Sequence, residues 1–282
     1  MIQPIEPPFP AGGADYTVLG ATGFIGSRIA ATLRANGECC YTPARGSEEI
    51  FSRNLGKVFY CIGLTADYAG RPLDSVNAHI LLLARIFAEA KFERLVYLSS
   101  TRLYDGQLSG MEDASLLFNP GNPRHLYDLS KAMGESLCLT ASGGRAHVAR
   151  LSCVYDADAG SPGFLSELLL RLKTQREFTL DSSPSISRDY IALDDVVSGL
   201  KAILDNDAPG IVNVASGENV TNRQLADCLN QSGCHIEFSG NTKTQRLPVC
   251  DISKLKSLNV HPVSVIDYLE TFMRYSNGHA AR

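Results

Sequence analysis

The stretch Asp15-Tyr16-Thr17-Val18-Leu19-Gly20-Ala21-Thr22-Gly23-Phe24-Ile25-Gly26 decides the fold. Residues 15–19 are a short β-type run that ends at glycine, and residues 24–36 read as a helix. Three spaced glycines stand at the junction. Gly20 permits a tight turn, Gly23 lets backbone approach a pyrophosphate, and Gly26 lets the helix pack on the sheet. An anion there meets unpaired N–H groups and the positive end of the helix dipole. Spaced glycines alone are weak evidence, and a ligand-free glycine-rich turn is the bland alternative. Their place directly behind a first strand predicts a dinucleotide site made by Gly20, Thr22, Gly23, Phe24, Ile25 and Gly26.

Outward from this turn, strand and helix patterns alternate. Strands are expected at 39–42, 57–62, 94–98 and 146–151, and helices at 73–90 and 127–141. The apolar run at 57–62 suits a strand covered on both faces. Such alternation predicts an α/β fold, a Rossmann-type doubly wound parallel sheet with right-handed crossovers. After about Tyr155 the rhythm loosens. Ser161-Pro162-Gly163 opens a helix to about 173, Asp194 caps a helix to 204, a strand follows at 211–214, and Thr221 caps another helix. Residues 15–155 are thus expected to form a dinucleotide-binding core, with a later contribution from about 189–214. Residues 156–188 and 215–282 would form a smaller C-terminal substrate-binding lobe over the carboxyl edge of the sheet.

Bulk properties narrow the classes. The 282 residues carry a formal net charge of -4, which leaves no electrostatic footprint for nucleic acid or an anionic membrane. No apolar run reaches the roughly 18 to 20 residues that span a bilayer. Residues 1–13 hold four prolines and no basic or apolar leader pattern. The arm 1–14 therefore reads as flexible, or as a segment packed on a neighbour, and not as a signal peptide. The eight cysteines include no C-x-x-C pair, so reduced structural thiols in a cytoplasmic protein are expected, with no metal site.

Tyr127-Asp128-Leu129-Ser130-Lys131 stacks a phenol and an ammonium on one helix face. The ammonium stabilises phenolate, which makes Tyr127 a usable acid/base near neutral pH. Ser99-Ser100-Thr101-Arg102-Leu103-Tyr104 ends a buried strand with hydroxyls that can bond a substrate carbonyl or alcohol. Each feature is common by itself, on solvated helices and in loops. In this order behind the glycine turn they form one constellation.

With these motifs the chain resembles the extended short-chain dehydrogenase/reductases, the NAD-dependent epimerase/dehydratase family that modifies nucleotide sugars. The likeness covers residues 15–275. It rests on Gly20-x-x-Gly23-x-x-Gly26, Leu95-Val96-Tyr97-Leu98-Ser99-Ser100 with Tyr104, and Tyr127-x-x-x-Lys131 followed by Ala132-x-x-Glu135. Arg188-Asp189-Tyr190-Ile191-x-x-Asp194-Asp195-Val196, Asn213-Val214-x-x-Gly217-Glu218 and Asp251-Ile252-Ser253-Lys254 match its distal pattern. The resemblance implies a catalytic set of Tyr127 as proton donor or acceptor, Lys131 holding the nicotinamide ribose, and Ser100 orienting the reacting oxygen. It implies Arg188 gripping the substrate's phosphates, with an ion pair to Asp189 or Asp194 as the alternative. Thr65, Thr101, Cys153 and Arg246 are the further substrate-contact positions.

Several departures shape the expected activity. Thr101-Arg102 replace the Asp-Glu pair of the family's dehydratases, so dehydration is disfavoured. The segment before Lys57 is too short for the usual third strand, which leaves the adenine pocket open. Cys61-Ile62-Gly63-Leu64-Thr65 stands where the family has small alanines, and Cys153 where it has Asn. Beyond the second strand comes Pro43-Ala44-Arg45-Gly46, with no carboxylate before Glu48. Arg45 is therefore expected to favour NADP over NAD, unless it points to solvent. The leading expectation is reduction of a 4-keto sugar on a nucleotide, followed by an epimerase with retained NAD, then a non-catalytic sensor or scaffold. Leu81, Leu82, Leu83, Ile86 and Phe87 leave the 73–90 helix apolar on more than one face, which points to a homodimer.

Overall fold

The computed structural model describes residues 14–64, 68–158, 160–206, 210–242, 244–245 and 247–280, with side chains to residue 275. The N-terminal arm as far as Gly13, together with Thr65 and Arg246, lies outside the described residues. The chain divides into two compact units. One gathers the described residues up to Leu98 with Pro120–Val148, and the other gathers Ser99–Asn119 with the chain from Ala149 onward.

The first unit contains β1 (Tyr16–Leu19), α1 (Phe24–Ala35), β2 (Cys40–Tyr41), β3 (Lys57–Tyr60), α2 (Pro72–Val76), α3 (Leu82–Glu89), β4 (Arg94–Ser100), α4 (His125–Ala141) and β5 (Ala146–Leu151). Strand neighbours run β2-β1-β3-β4-β5. Pairing is parallel, with Tyr16 opposite Cys40 and Lys57, and Lys57 opposite Arg94. Val58, Phe59, Leu95, Val96 and Tyr97 are all buried, as strands covered by helices on both faces require. This is a Rossmann-type α/β fold.

The short segment before Lys57 lacks a third strand, as expected, and the helix over 73–90 needs correction. Between β2 and β3 there is neither strand nor α-helix, only a 3₁₀ turn at Glu48–Phe51. The helix expected over 73–90 is interrupted by a π-helical turn, Asn77–Leu81. There the Leu82 N–H donates to Asn77 O, and the Tyr60 hydroxyl donates to Ala78 O at 2.6 Å. The wider turn brings Ala78 and His79 inward together. Helix α4 presses on it closely: a Cβ on Gly134 would stand 2.9 Å from His79 O and 2.4 Å from the Tyr97 hydroxyl. Only glycine fits that crossing.

The second unit holds the carboxyl ends of β4 and β5, then β6 (Cys153–Tyr155), α5 (Phe164–Leu172), β7 (Glu177–Leu180), β8 (Ser187–Ala192), α6 (Leu193–Asp205), β9 (Ile211–Val214), β10 (Asn219–Thr221), α7 (Asn222–Gln231), β11 (His235–Phe238), α8 (Ser253–Ser257) and α9 (Val265–Ala280). Strand β9 lies beside β5, β8 pairs with β6 and β10, and β7 pairs with β11. Leu165, Leu168, Leu169 and Leu172 on α5 pack with Leu225 and Leu229 of α7 and Leu269 and Met273 of α9. The α5 leucines stand at i, i+3, i+4 and i+7, the inward stripe of an amphipathic helix. Thr221 caps α7 as expected, and its partner Gln224 completes a capping box. Asp194 does not cap α6. The helix begins at Leu193 with Ala192 at the cap position, which puts Asp194 and Asp195 in its first turn, where carboxylates favour the dipole. Asp195 accepts the Val263 N–H at 3.0 Å. Among the described residues no helix is long and apolar enough to cross a membrane.

Candidate functional site

The glycine turn follows β1 directly. Gly20 has φ +85°, and a Cβ there would lie 3.0 Å from the Cys61 carbonyl. A Cβ on Gly26 would lie 2.3 Å from Gly20 O, so α1 can only sit this close to the turn without one. Gly23 is different. It has φ -84°, and a Cβ would meet nothing closer than Gly20 O at 3.4 Å. The protein's own atoms do not require glycine at that position. No side chain caps α1 and no acidic residue lies in its first turn, so its N–H groups face outward with their partial positive charge uncompensated.

The turn opens on a cleft of about 590 Å³, lined by Gly20–Gly23, Pro43–Glu48, Cys61–Leu64, Arg71, Asn77 and Arg85 among others. Arg45 is exposed on its wall with no ion pair or hydrogen bond among the described residues. Glu48, the first carboxylate after β2, is held by Arg85 through contacts of 2.6 and 2.8 Å. That guanidinium keeps the carboxyl below its usual range. The residues present thus fit a dinucleotide, with backbone N–H groups for its phosphates and a cation where β2 ends.

Tyr127 and Lys131 share the inner face of α4, and both are buried. Lys131 Nζ donates to Leu98 O at 2.7 Å and lies 4.9 Å from the centre of the Tyr97 ring. Burial pulls its ammonium down to about 7, opposed by Glu135. The Tyr127 ring lies between Tyr68, at 5.0 Å, and His79, which meets it edge-on at 5.5 Å. Burial and the nearby Lys131 charge push the His79 imidazole down to about 3, so it is neutral at ordinary pH. An ammonium one helical turn from a buried phenol is an arrangement that can hold or deliver a proton.

In the second unit, Ser100 caps the 3₁₀ turn Thr101–Tyr104, its Oγ accepting the Arg102 N–H at 3.2 Å. Thr101 is buried, and Cys153 is exposed rather than a core thiol. All eight cysteines are free. Tyr104 is a structural residue: its hydroxyl donates to Asn213 Oδ1 and accepts from Arg150 Nη1, each at 2.8 Å. Asn213 also donates to Gly110 O and Asp251 O, which knits four segments together. Asp189 accepts the N–H groups of Ser216 and Gly217 at 2.8 Å, and no ion pair joins it to Arg188 among the described residues. Arg188 is half-buried, 5.7 Å from the Phe164 ring, with Nη1 buried and lacking a hydrogen-bond partner among the described residues.

Sequence reasoning overlooked His79, Gly134 and Arg150. A lone histidine in the apolar run Ala78-His79-Ile80-Leu81 and a glycine inside a helix were the available signals.

Fold and site define a class: Rossmann-type proteins that join a glycine turn to a Tyr-x-x-x-Lys helix. The chain belongs to the NAD dependent epimerase/dehydratase family, whose sequence profile matches residues 16–215. Among curated proteins none matches. Among solved structures it is similar to MoeE5 in complex with UDP-glucose and NAD, at 19% identity and TM-score 0.73, covering 94% of this chain and 99% of that one. It is similar to UDP-glucose 4-epimerase with UDP-glucose from Thermotoga maritima, at 20% identity and TM-score 0.72, with coverage of 94% and 99%. RMD from Pseudomonas aeruginosa complexed with NADPH aligns at 20% identity and TM-score 0.70, with coverage of 93% and 99%.

Proposed function

We propose that this chain is an NAD(P)-dependent oxidoreductase that reduces a 4-keto group on a nucleotide-linked sugar, with Tyr127 delivering the proton. The observation that carries it is the buried Tyr127–Lys131 pair, in the same unit as the cleft at the glycine turn. Lys131 spends one donor on Leu98 O and keeps others for ribose hydroxyls, while its charge favours the phenolate left after proton transfer. Ser100 uses a lone pair on the Arg102 N–H and keeps its own proton for the reacting oxygen. The nicotinamide, when bound, supplies the hydride.

Arg188 suits a diphosphate through its planar fork, and its unpartnered Nη1 supports that role. Thr101 and Cys153, with Thr65 and Arg246 from the sequence, would add further substrate contacts, and residues 156–188 and 215–282 would form the substrate-binding lobe. Arg45 on the cleft wall, with Glu48 already claimed by Arg85, supports NADP over NAD. Leu81 and Met133 are 55% and 51% exposed on the first unit's helices, which supports a homodimer through them. Eight free thiols support the cytoplasm.

The test is to denature purified protein, identify any released cofactor by its absorbance, and then assay nucleotide sugars with NADPH and NADH. Expected is NADPH consumption with a nucleotide 4-keto sugar. Stoichiometric retained NAD with interconversion of C4 epimers makes it an epimerase. A keto product formed with loss of water makes it a dehydratase, and cofactor affinity without turnover makes it a sensor.

A further inference from the structure

His79 lies fully buried in the first unit, and the reaction proposed above does not use it. Its ring contacts define its protonation. Nδ1 is 2.8 Å from Ser130 Oγ, and that hydroxyl donates its single proton to Tyr127 O, also at 2.8 Å. Both contacts are satisfied in one tautomer only, with the ring proton on Nδ1 donated to Ser130. Nε2 then carries the ring's lone pair, which accepts the Leu64 N–H at 3.4 Å. A Cβ built on Gly63 would stand 3.2 Å from this Nε2 and 3.2 Å from Lys131 Nζ, so lone pair and ammonium border the same point. The ring edge also abuts the Tyr127 ring at 85°.

We infer that His79 is a positioning residue for the Tyr127–Lys131 pair, anchoring Ser130 through Nδ1–H and presenting Nε2 as a neutral acceptor beside the Lys131 ammonium. This rests on the oxidoreductase reading, which gives the phenol its task. The π-helical turn and Gly134 are what allow an imidazole to reach this point from a helix that α4 crosses so closely. An imidazole acceptor stabilises an ammonium without adding a negative charge that would compete with phenolate. Lys131 is faced by Cys61 after β3, His79 from the π turn, Tyr97 on β4, and Tyr127, Glu135 and Cys138 on α4. Of these, His79 is held in a single hydrogen-bonding sense by a partner on another element.

The sign of the effect follows. Without the acceptor the buried ammonium is harder to keep protonated, a neutral Lys131 no longer supports phenolate, and the phenol becomes a weaker acid. The test compares wild type with His79→Phe, His79→Gln and His79→Asn. Gln can place Oε1 near the Nε2 position and keep the acceptor, whereas Asn can place its amide near Nδ1 and keep only the donor to Ser130. Expected for Phe and Asn is a roughly tenfold lower kcat, with the alkaline limb of its pH profile moved up by about half to one unit. KM and the Kd for NADPH should change by less than about threefold, and His79→Gln should recover most of both losses. A purely structural role through Ser130 predicts the reverse order, with Asn recovering and Gln not, and that result overturns the inference. So does a folded His79→Phe with wild-type kcat and profile; if that variant does not fold, the Gln and Asn pair decides. Wild type inert on every nucleotide sugar with either cofactor counts against the oxidoreductase reading and takes this inference with it. An active wild type with indifferent variants removes this inference alone.

Discussion

Gly23 and Gly26 stand three residues apart in one motif, yet alanine at each should have opposite consequences. At Gly26 the new Cβ would lie 2.3 Å from Gly20 O and 2.9 Å from Gly20 C. Comfortable carbon contacts need about 3.5 to 4.0 Å, and both neighbours are backbone, which cannot swing aside. Overpacking of this kind costs about 1 to 3 kcal/mol. For a chain of this size it should lower Tm by roughly 2 to 12 °C. At Gly23 the backbone already has an ordinary φ of -84° and the nearest atom is 3.4 Å away. Alanine there reduces the freedom of the unfolded chain and is worth about 0.4 to 1 kcal/mol of added stability, or ~1 to 4 °C. Its methyl group would occupy the approach to the α1 N-terminus, so affinity for NADPH and NADH should fall at least tenfold. Thermal melts and fluorescence titration with both reduced cofactors read the two effects separately. A Gly23→Ala protein that melts early yet binds cofactor normally would show that this glycine serves the fold, which refutes the assignment of the turn.

Tyr127→Phe should lower kcat by roughly 100- to 10,000-fold with little change in cofactor Kd, since the hydroxyl acts in the transition state; near wild-type turnover would defeat the mechanism. Arg45→Ala should weaken NADPH by roughly 10- to 150-fold in titrations and leave NADH nearly unchanged; equal weakening of both removes Arg45 as selector. Tyr104→Phe strips a hydroxyl from between Arg150 and Asn213, leaving two buried polar atoms short of a partner. Urea unfolding should show a loss of about 1 to 3 kcal/mol, and unchanged stability would mean the network re-forms without it. Sedimentation should find a dimer at micromolar concentration that Met133→Glu dissociates, and a wild-type monomer ends that proposal.

The glycine turn, the Tyr-x-x-x-Lys helix and the Thr221 cap were legible from residues alone, because each is local chemistry. A turn that needs positive φ, a phenol one helical turn from an ammonium, and a hydroxyl that bonds the N–H three residues on depend only on neighbours in sequence. The parallel sheet was legible for a related reason, since strands covered on both faces leave continuous apolar runs. Charges were harder to read. Asp189 looked available to Arg188 one residue away, but adjacent strand residues point to opposite faces, and its carboxylate serves Ser216 and Gly217 instead. Glu48 is claimed by Arg85, 37 residues further on, a partner that no local spacing announces. The π turn in the 73–90 stretch left no mark in its apolar pattern, because Ala78, Leu82 and Leu83 suit an α-helix equally well. What the tertiary structure decided is the inner surface of the site: Gly134 admitting the Tyr97 hydroxyl, and His79 taking its tautomer from Ser130, 51 residues away. A helix face can be read from spacing, but which atom of a buried ring carries the proton is set by the group that meets it, and that group is brought there only by packing.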